Sequence, residues 1–191
     1  GLQCPSVVDP PLDTKIELIH LMDSLGIDTA DIGLPGAGPN AREHILAMAR
    51  EMQSLSITPN VACRTVVTDI EPVVDMVQQL GTPIEVCAFI GSSPIRAYAE
   101  SWDLDRMEGH VRDAVGFASR NGLPVMFVTE DTVRSTPETL QRLFAAALEE
   151  GAQRLCLCDT VGSATPAEVR NLVRWTREFL VAQDRADVGI D

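Results

Sequence analysis

Apolar residues along this chain follow two alternating spacings. In one, they recur three and four apart. Examples are Ile16, Ile19, Leu21, Met22 and Leu25; Ile45, Met48, Ala49 and Met52; and Val73, Val74, Val77 and Leu80. Each set is the single apolar face of a helix. In the other, apolar residues run almost continuously for a short distance, at Thr29–Leu34, Thr58–Cys63, Ile84–Ile90, 123–128 and 154–158. Such runs read as strands buried on both faces. Gly26, Gly81, Asn121-Gly122 and Gly151 supply helix stops, and Pro137 and Pro166 sit at first helical positions. Thr14 with Glu17, and Thr165 with Glu168, have capping-box spacing. Further helices are predicted at about 40–54, 69–79, 103–121, 137–150 and 166–182. Residues 91–96 read as a loop, and Val188–Ile190 as the beginning of one more strand.

Helix and strand therefore alternate with a period of about thirty residues, which forces a parallel sheet with right-handed crossovers. An open doubly wound sheet and a (β/α)8 barrel both accommodate this order. A complete barrel takes ~250 residues, and the chain has 191. A barrel reading therefore leaves strands unaccounted for at both ends. No Gly-x-Gly-x-x-Gly follows an early strand, which argues against a dinucleotide-binding sheet.

Composition narrows the partners. A hydrophobic content of 45% supports one substantial core. The net charge of −13, with no basic block, argues against nucleic acid and anionic membrane surfaces. No apolar run approaches the ~18 residues that span a bilayer, and no signal-peptide pattern opens the chain. The five cysteines are an odd number in a chain too large to need staples. Cys63, Cys87, Cys156 and Cys158 are expected as small buried hydrophobes in a reducing cytoplasm, and Cys4 as an exposed loop residue. Cys156 and Cys158 fall on one face of a strand, without zinc-site spacing.

The chemistry gathers where buried strands open into loops. The run ending at Val128 meets Thr129-Glu130-Asp131, and the run through Cys158 meets Asp159-Thr160-Val161-Gly162. The carboxyl ends of parallel strands are where α/β folds place their sites. His20, His44 and His110 all fall in predicted helices among polar neighbours and are expected to serve helix packing or the surface.

These strand ends resemble the DRE-TIM metallolyase family, which includes isopropylmalate, homocitrate and citramalate synthases and hydroxymethylglutaryl-CoA lyase. Gly1-Leu2-Gln3 resembles the tail of its Arg-Asp-Gly-Leu-Gln motif. Asp31-Ile32-Gly33-Leu34-Pro35 is similar to Glu-x-Gly-Phe-Pro, with Asp31 in place of Glu. Phe89 to Ile95 is similar to Phe-Ile-Ala-Thr-Ser-Pro-Ile, and Thr129-Glu130-Asp131 with Arg134 to Ser-x-Glu-Asp-x-x-Arg. Asp159-Thr160-Val161-Gly162 followed by Thr165-Pro166 matches Asp-Thr-Val-Gly…Pro. The resemblance spans essentially the whole chain.

The resemblance implies a single (β/α)8 TIM-barrel domain over residues 1–191, holding roughly strands 2–6 with their helices and the start of strand 7, without strand 1 and strands 7–8. It implies a divalent metal (Mg, Mn or Zn) whose ligands, the Asp of Arg-Asp-Gly and a His-x-His, lie just outside both ends. The implied reaction is a Claisen-type condensation of an acyl-CoA, acetyl-CoA foremost, with a 2-oxo acid, giving a 2-hydroxy diacid and CoA. Family analogy adds a cytoplasmic homodimer. A hydroxymethylglutaryl-CoA lyase-like cleavage and a metal-free, non-catalytic barrel are the alternatives.

The resemblance assigns Glu130 to proton transfer and Thr160 to the carboxylate of the oxo acid. Arg64, Arg96, Gln3 and Asp31 join the substrate-binding set, and Asp131, Arg134 and Asp159 support the loops. Each has a structural alternative. Glu130 is then a solvated loop carboxylate, Asp131 a partner of Arg134 or a turn cap, and Asp159 an organiser of its own loop. Thr160 is then a hydroxyl turn, Arg64 and Arg96 surface cations, and Asp31 the ion-pair partner of an arginine. Two positions depart from the family: Arg96 stands where related synthases have His, and Val128 where they have Ser. An added guanidinium suits a more strongly anionic acceptor, carrying a further carboxylate or a phosphonate.

Overall fold

The computed structural model describes residues 10–191, so the expectations for Gln3 and Cys4 lie outside the described residues. In chain order the elements are α1 (Leu12–Ser24), β1 (Thr29–Asp31), α2 (Pro39–Met52), β2 (Thr58–Arg64), α3 (Val67–Leu80), β3 (Glu85–Gly91), α4 (Pro94–Glu100), α5 (Leu104–Arg120), β4 (Val125–Glu130), α6 (Pro137–Glu149), β5 (Arg154–Leu157), α7 (Pro166–Ala182) and β6 (Gly189–Ile190). The six strands form one parallel sheet in the order β1-β2-β3-β4-β5-β6. Each crossover returns to the neighbouring position, always in the same direction. A doubly wound sheet must reverse its strand order, and this one never does. The architecture is the curled part of a (β/α) barrel.

Strand parity divides the sheet into two faces. Val61, Cys63, Val86, Ala88, Ile90, Val125, Phe127, Thr129 and Leu155 point to the helices and are buried. The alternate positions, including Arg64, Phe89, Val128, Glu130 and Cys156, point to the concave side and are less covered. An aromatic cluster fixes this choice on β4. Phe127 meets Phe144 of α6 edge-on, at 6.4 Å between ring centroids. Phe144 also packs against Trp175 and Phe179 of α7.

Several expectations need correction. Thr14 and Glu17 form no capping box; α1 begins at Leu12 after Pro11, without a side-chain cap. The fixed φ of Pro11 sets up the helix entry, and both capping-box residues fall inside the helix. The first strand stops at Asp31 rather than Leu34. There the Asp31 carboxylate accepts from the Gly33 N–H at 3.0 Å and turns the chain into a 3-10 turn at Pro35–Ala37. The predicted loop at 91–96 contains the start of α4, whose first turn is capped by the Ser93 hydroxyl. With no buried residue, α4 has no apolar stripe for a sequence pattern to detect. α3 begins two residues earlier than predicted, and β4 runs on to Glu130. Cys156 and Cys158 are half-buried, unlike Cys63 and Cys87; Cys87 shares their concave face but lies on β3 between two full strands, whereas β5 is flanked on its far side by the two-residue β6.

Phe144 is fully buried, so Phe144→Ala is expected to cost about 3–5 kcal/mol in urea denaturation. Tyr98→Ala, at a position 87% exposed, should stay within about 0.5 kcal/mol.

Candidate active site

Three of the sequence-derived candidates converge at the carboxyl edge of the sheet. Arg64 ends β2, Glu130 ends β4, and Arg96 rises from the first turn of α4 beyond β3. All three line one pocket of about 270 Å³, with Glu100, Trp102 and His110 in its walls. Asp31, Asp159 and Thr160 stand outside that lining. Glu130 is half-buried with its side chain on the concave face.

Both arginines are held in place. Asp69, buried in the first turn of α3, grips Arg64 with two charge-assisted hydrogen bonds of 2.8 Å, Nε to Oδ2 and Nη2 to Oδ1. The Arg64 side-chain hydrogen bond holds the Asp69 carboxyl below its usual range, against the opposing effect of burial. The grip leaves Nη1 of Arg64 uncommitted to Asp69. A Cβ on Gly36 would lie 2.6 Å from the Asp69 carboxylate, so only glycine permits this approach. Arg96 forms an ion pair with Glu100 at 3.3 Å. Its stem crosses Gly91, where an added Cβ would meet Arg96 Cγ at 2.8 Å. Both arginines are exposed, yet both are anchored at the pocket, Arg64 by Asp69 and Arg96 by Glu100.

The supporting residues form a second assembly beside the pocket. Asp131 is buried and adopts a left-handed backbone at φ 63°. Arg134 forks onto its carboxylate at 2.6 Å through both Nε and Nη2. That side-chain bond, joined by one from Ser93, lowers the Asp131 pKa despite burial. The Asp131 N–H donates to Thr160 Oγ1 at 2.8 Å. Thr160 is therefore no local hydroxyl turn; it ties its loop to the loop after β4 and keeps its own hydrogen free to donate. Asp159 organises its loop as its structural alternative predicts, accepting from the N–H groups of Ser163 and Ala164 at 3.0 and 2.9 Å.

Sequence reasoning missed Asp69, His110 and the hydroxyl network. His20 and His44 do serve the surface, meeting Glu51 and Lys15. His110 instead packs its ring on Trp102 at 5.4 Å within the pocket wall. A helical histidine facing a strand-end pocket carries no distinguishing spacing, so nothing in the pattern marked it. Ser92 Oγ donates to the Glu130 carbonyl at 3.0 Å and meets Ser135 Oγ at 2.6 Å. The Gly-Ser-Ser-Pro stretch was the available signal for it.

Together, the fold and site define a (β/α)-barrel protein with two arginines and two glutamates lining one pocket at the carboxyl mouth. The HMGL-like family model matches residues 1–190, and the chain belongs to that family, the DRE-TIM group its motifs resemble. It is 31% identical to the 2-isopropylmalate synthase of Ruminiclostridium cellulolyticum, over 100% of this chain and 37% of that protein. It is 30% identical to the homocitrate synthase AksA of Methanopyrus kandleri, over 94% of this chain and 44% of that protein. Among solved structures, the Bacillus subtilis HMG-CoA lyase superposes with a TM-score of 0.68 at 18% identity, covering 93% of this chain and 61% of that one. The last likeness speaks for the fold alone. The chain spans less than half the length of these curated relatives.

Members of the family generally use a divalent metal. Among the described residues no three His, Cys, Asp or Glu side chains stand together as a metal site, so these residues do not compose one. No helix among them is long and apolar enough to cross a membrane.

Asp131→Asn keeps a residue tolerant of the left-handed backbone while removing the charge that Arg134 grips. Because the folded pKa of Asp131 is lowered, its ion pair contributes fully above the unfolded value of ~3.9 and is lost as pH falls through the lower, folded value. The variant should therefore melt below the parent protein at pH 7, with the gap closing under acid. A gap independent of pH in thermal melts would refute the ion-pair account.

Proposed function

We propose that this chain is the barrel domain of an acyltransferase that condenses an acyl-CoA, acetyl-CoA foremost, with an anionic 2-oxo acid. The observation that carries the reading is the meeting of Arg64, Arg96 and Glu130 in one pocket at the carboxyl edge of the sheet. Family membership and synthase relatives at about 30% identity support it. In balance, acyl thioester, 2-oxo acid and water give a 2-hydroxy diacid and free CoA. The thioester must first lose an α-proton, and Glu130 is the group in the pocket suited to accept it. The enolate carbon then attacks the 2-oxo carbon, the new alkoxide takes up a proton, and water hydrolyses the thioester so that CoA leaves as its thiol. Arg64 and Arg96 bind the anionic groups of the acceptor and orient its carbonyl. Thr160 Oγ1, with its hydrogen uncommitted to Asp131, donates to the acceptor carboxylate from the neighbouring strand end. The divalent metal of the family would supply Lewis-acid polarisation when bound. The same reading carries over the homodimer and the cytoplasm from the family.

Arg64 and Arg96 share the pocket with Glu100 and Glu130, and they suit an acceptor with an anionic group beyond its 2-oxo carboxylate that replaces Glu100 as the partner of Arg96. The test is CoA release from acetyl-CoA across a panel of 2-oxo acids with neutral and anionic tails, in the presence of Mg, Mn or Zn. Release should depend on the acceptor and favour anionic tails. Preference for a neutral tail would overturn the assignment of Arg96. Cleavage of a 3-hydroxyacyl-CoA without any condensation would replace the synthase reading by a lyase one.

Within the active reaction, Glu130→Gln should lower kcat by about 10²–10⁴-fold while acceptor KM moves only a few-fold. Arg96→Ala should raise KM for an anionic-tailed acceptor by about tenfold or more and leave a neutral-tailed one nearly unchanged. Steady-state kinetics on both variants reads these directly.

A further inference from the structure

The pocket that holds Arg64, Arg96 and Glu130 has a second end. Arg64, Phe89 and Glu130 line it from the concave face. Just past β2, the Thr65 N–H still donates to the Phe89 carbonyl at 3.2 Å. The alternation of the strand therefore carries on for one residue and sends Thr65 to the helix side. There it lines the pocket together with Trp102 and with His110 of α5. The cavity thus runs from the concave face, over the strand ends, toward α5. Its walls come from the neighbourhood of β2, β3 and β4, with β1 and β5 flanking them. No wall is an end of the sheet.

This second end holds hydrogen-bonding groups without partners. Thr65 is only 5% exposed, and its hydroxyl makes no hydrogen bond among the described residues. The oxygen is nevertheless not sealed in the core, and the cavity that Thr65 lines is the space open to it. His110 is half-buried, and neither of its ring nitrogens is hydrogen-bonded among the described residues. Its ring is held in place all the same, packed on Trp102 at 5.4 Å and 51°. Trp102 is fixed by the end of α4. Ser101 turns left-handed there at φ 54°, and the Trp102 N–H returns to the Ala97 carbonyl at 2.9 Å.

The chemistry of these groups selects their ligand. Hydroxyl, imidazole and the guanidinium of Arg96 can all donate. A group with several acceptor oxygens satisfies them together. An apolar tail satisfies none of them, and an ammonium would meet Arg96. We propose that Thr65 and His110 bind the tail of the acceptor acid, and that this tail is an oxyanion. The proposal rests on the acceptor reading of the pocket given above. With the 2-oxo group at Glu130, the rest of the acceptor extends toward α5. There Thr65 Oγ1 and one His110 nitrogen donate to its far oxyanion beside Arg96. The two residues thereby set which acceptors fit: 2-oxo acids with a second oxyanion a few carbons from the carbonyl.

The test titrates the unaltered chain, with Mg²⁺ present, with succinate as an unreactive dianion and butyrate as its singly charged counterpart. The chain has three histidines, so ring carbon–proton NMR gives three signals. His20 and His44, at the surface with Glu51 and Lys15, are the internal controls. Succinate should shift the His110 signal saturably and leave the other two in place, and butyrate should need about tenfold more. His110→Phe keeps a ring on Trp102 but removes both nitrogens, and Thr65→Val keeps the shape but removes the hydroxyl. Each should weaken succinate binding about tenfold or more in calorimetry. A His110 signal that stays still, or that moves together with those of His20 and His44, would overturn the proposal. So would equal affinity of succinate for the parent and both variants. Succinate binding at His110 without CoA release from any acceptor would keep this site and remove the synthase reading. Release that favours anionic tails with His110 unmoved would do the reverse.

Discussion

Asp131 occupies a left-handed backbone position that a non-glycine residue holds only when its surroundings over-determine it. Here they do. Its carboxylate is forked by Arg134 and touched by Ser93, and its N–H is bound by Thr160. These partners come from the loops after β3, β4 and β5. One residue therefore ties three strand ends together, and the residue just before it is Glu130. Releasing Asp131 would free the turn that aims Glu130 and the loop that presents Thr160. The direction of the candidate base thus rests on a buried charge that stands beside the pocket rather than in it.

A second constraint comes from the chain's own acidity. At a net charge of −13, long-range electrostatics would repel the anionic substrate proposed above, so its attraction would have to be local. Fixed arginines are the means available. Asp69 sacrifices part of the charge of Arg64 to lock its plane, and Gly36 and Gly91 let carboxylate and guanidinium stems approach where a methyl group would clash. A guanidinium held this way loses little further freedom on binding, which favours orientation over raw attraction.

Much of this was legible in the sequence, and what was not has identifiable causes. Helical spacing alternating with short, nearly continuous apolar runs revealed every strand and all described helices except α4. α4 buries nothing and so leaves no pattern. The false capping box at Thr14 arose because a proline pair had already set the helix entry. Strand-end position singled out Arg64, Glu130 and Asp131, and the structure puts them at the carboxyl edge of the sheet. It could not reveal Asp69 or His110, which reach the pocket area from helices, where the period of the helix and not a strand end decides direction. Cys156 and Cys158 were read by composition, as buried, and stand half-buried at the end of β5.

Parity also explains how the core and the site can share so few residues without interfering. On β4, Phe127 and Thr129 serve the helices, while Val128 and Glu130 serve the concave side. A one-residue slip of this strand would exchange those roles and bury Glu130 against α6. The edge-on contact of Phe127 with Phe144, itself clamped by Trp175 and Phe179, makes such a slip costly, since it would expose the ring and bury a carboxylate. The hydrogen bonds of Thr132 to Cys158 oppose the same slip from the loop side. The aromatic cluster of the core and the hydrogen-bonded turn at the mouth thus enforce one register, and that register is what brings Glu130 into the pocket with Arg64 and Arg96.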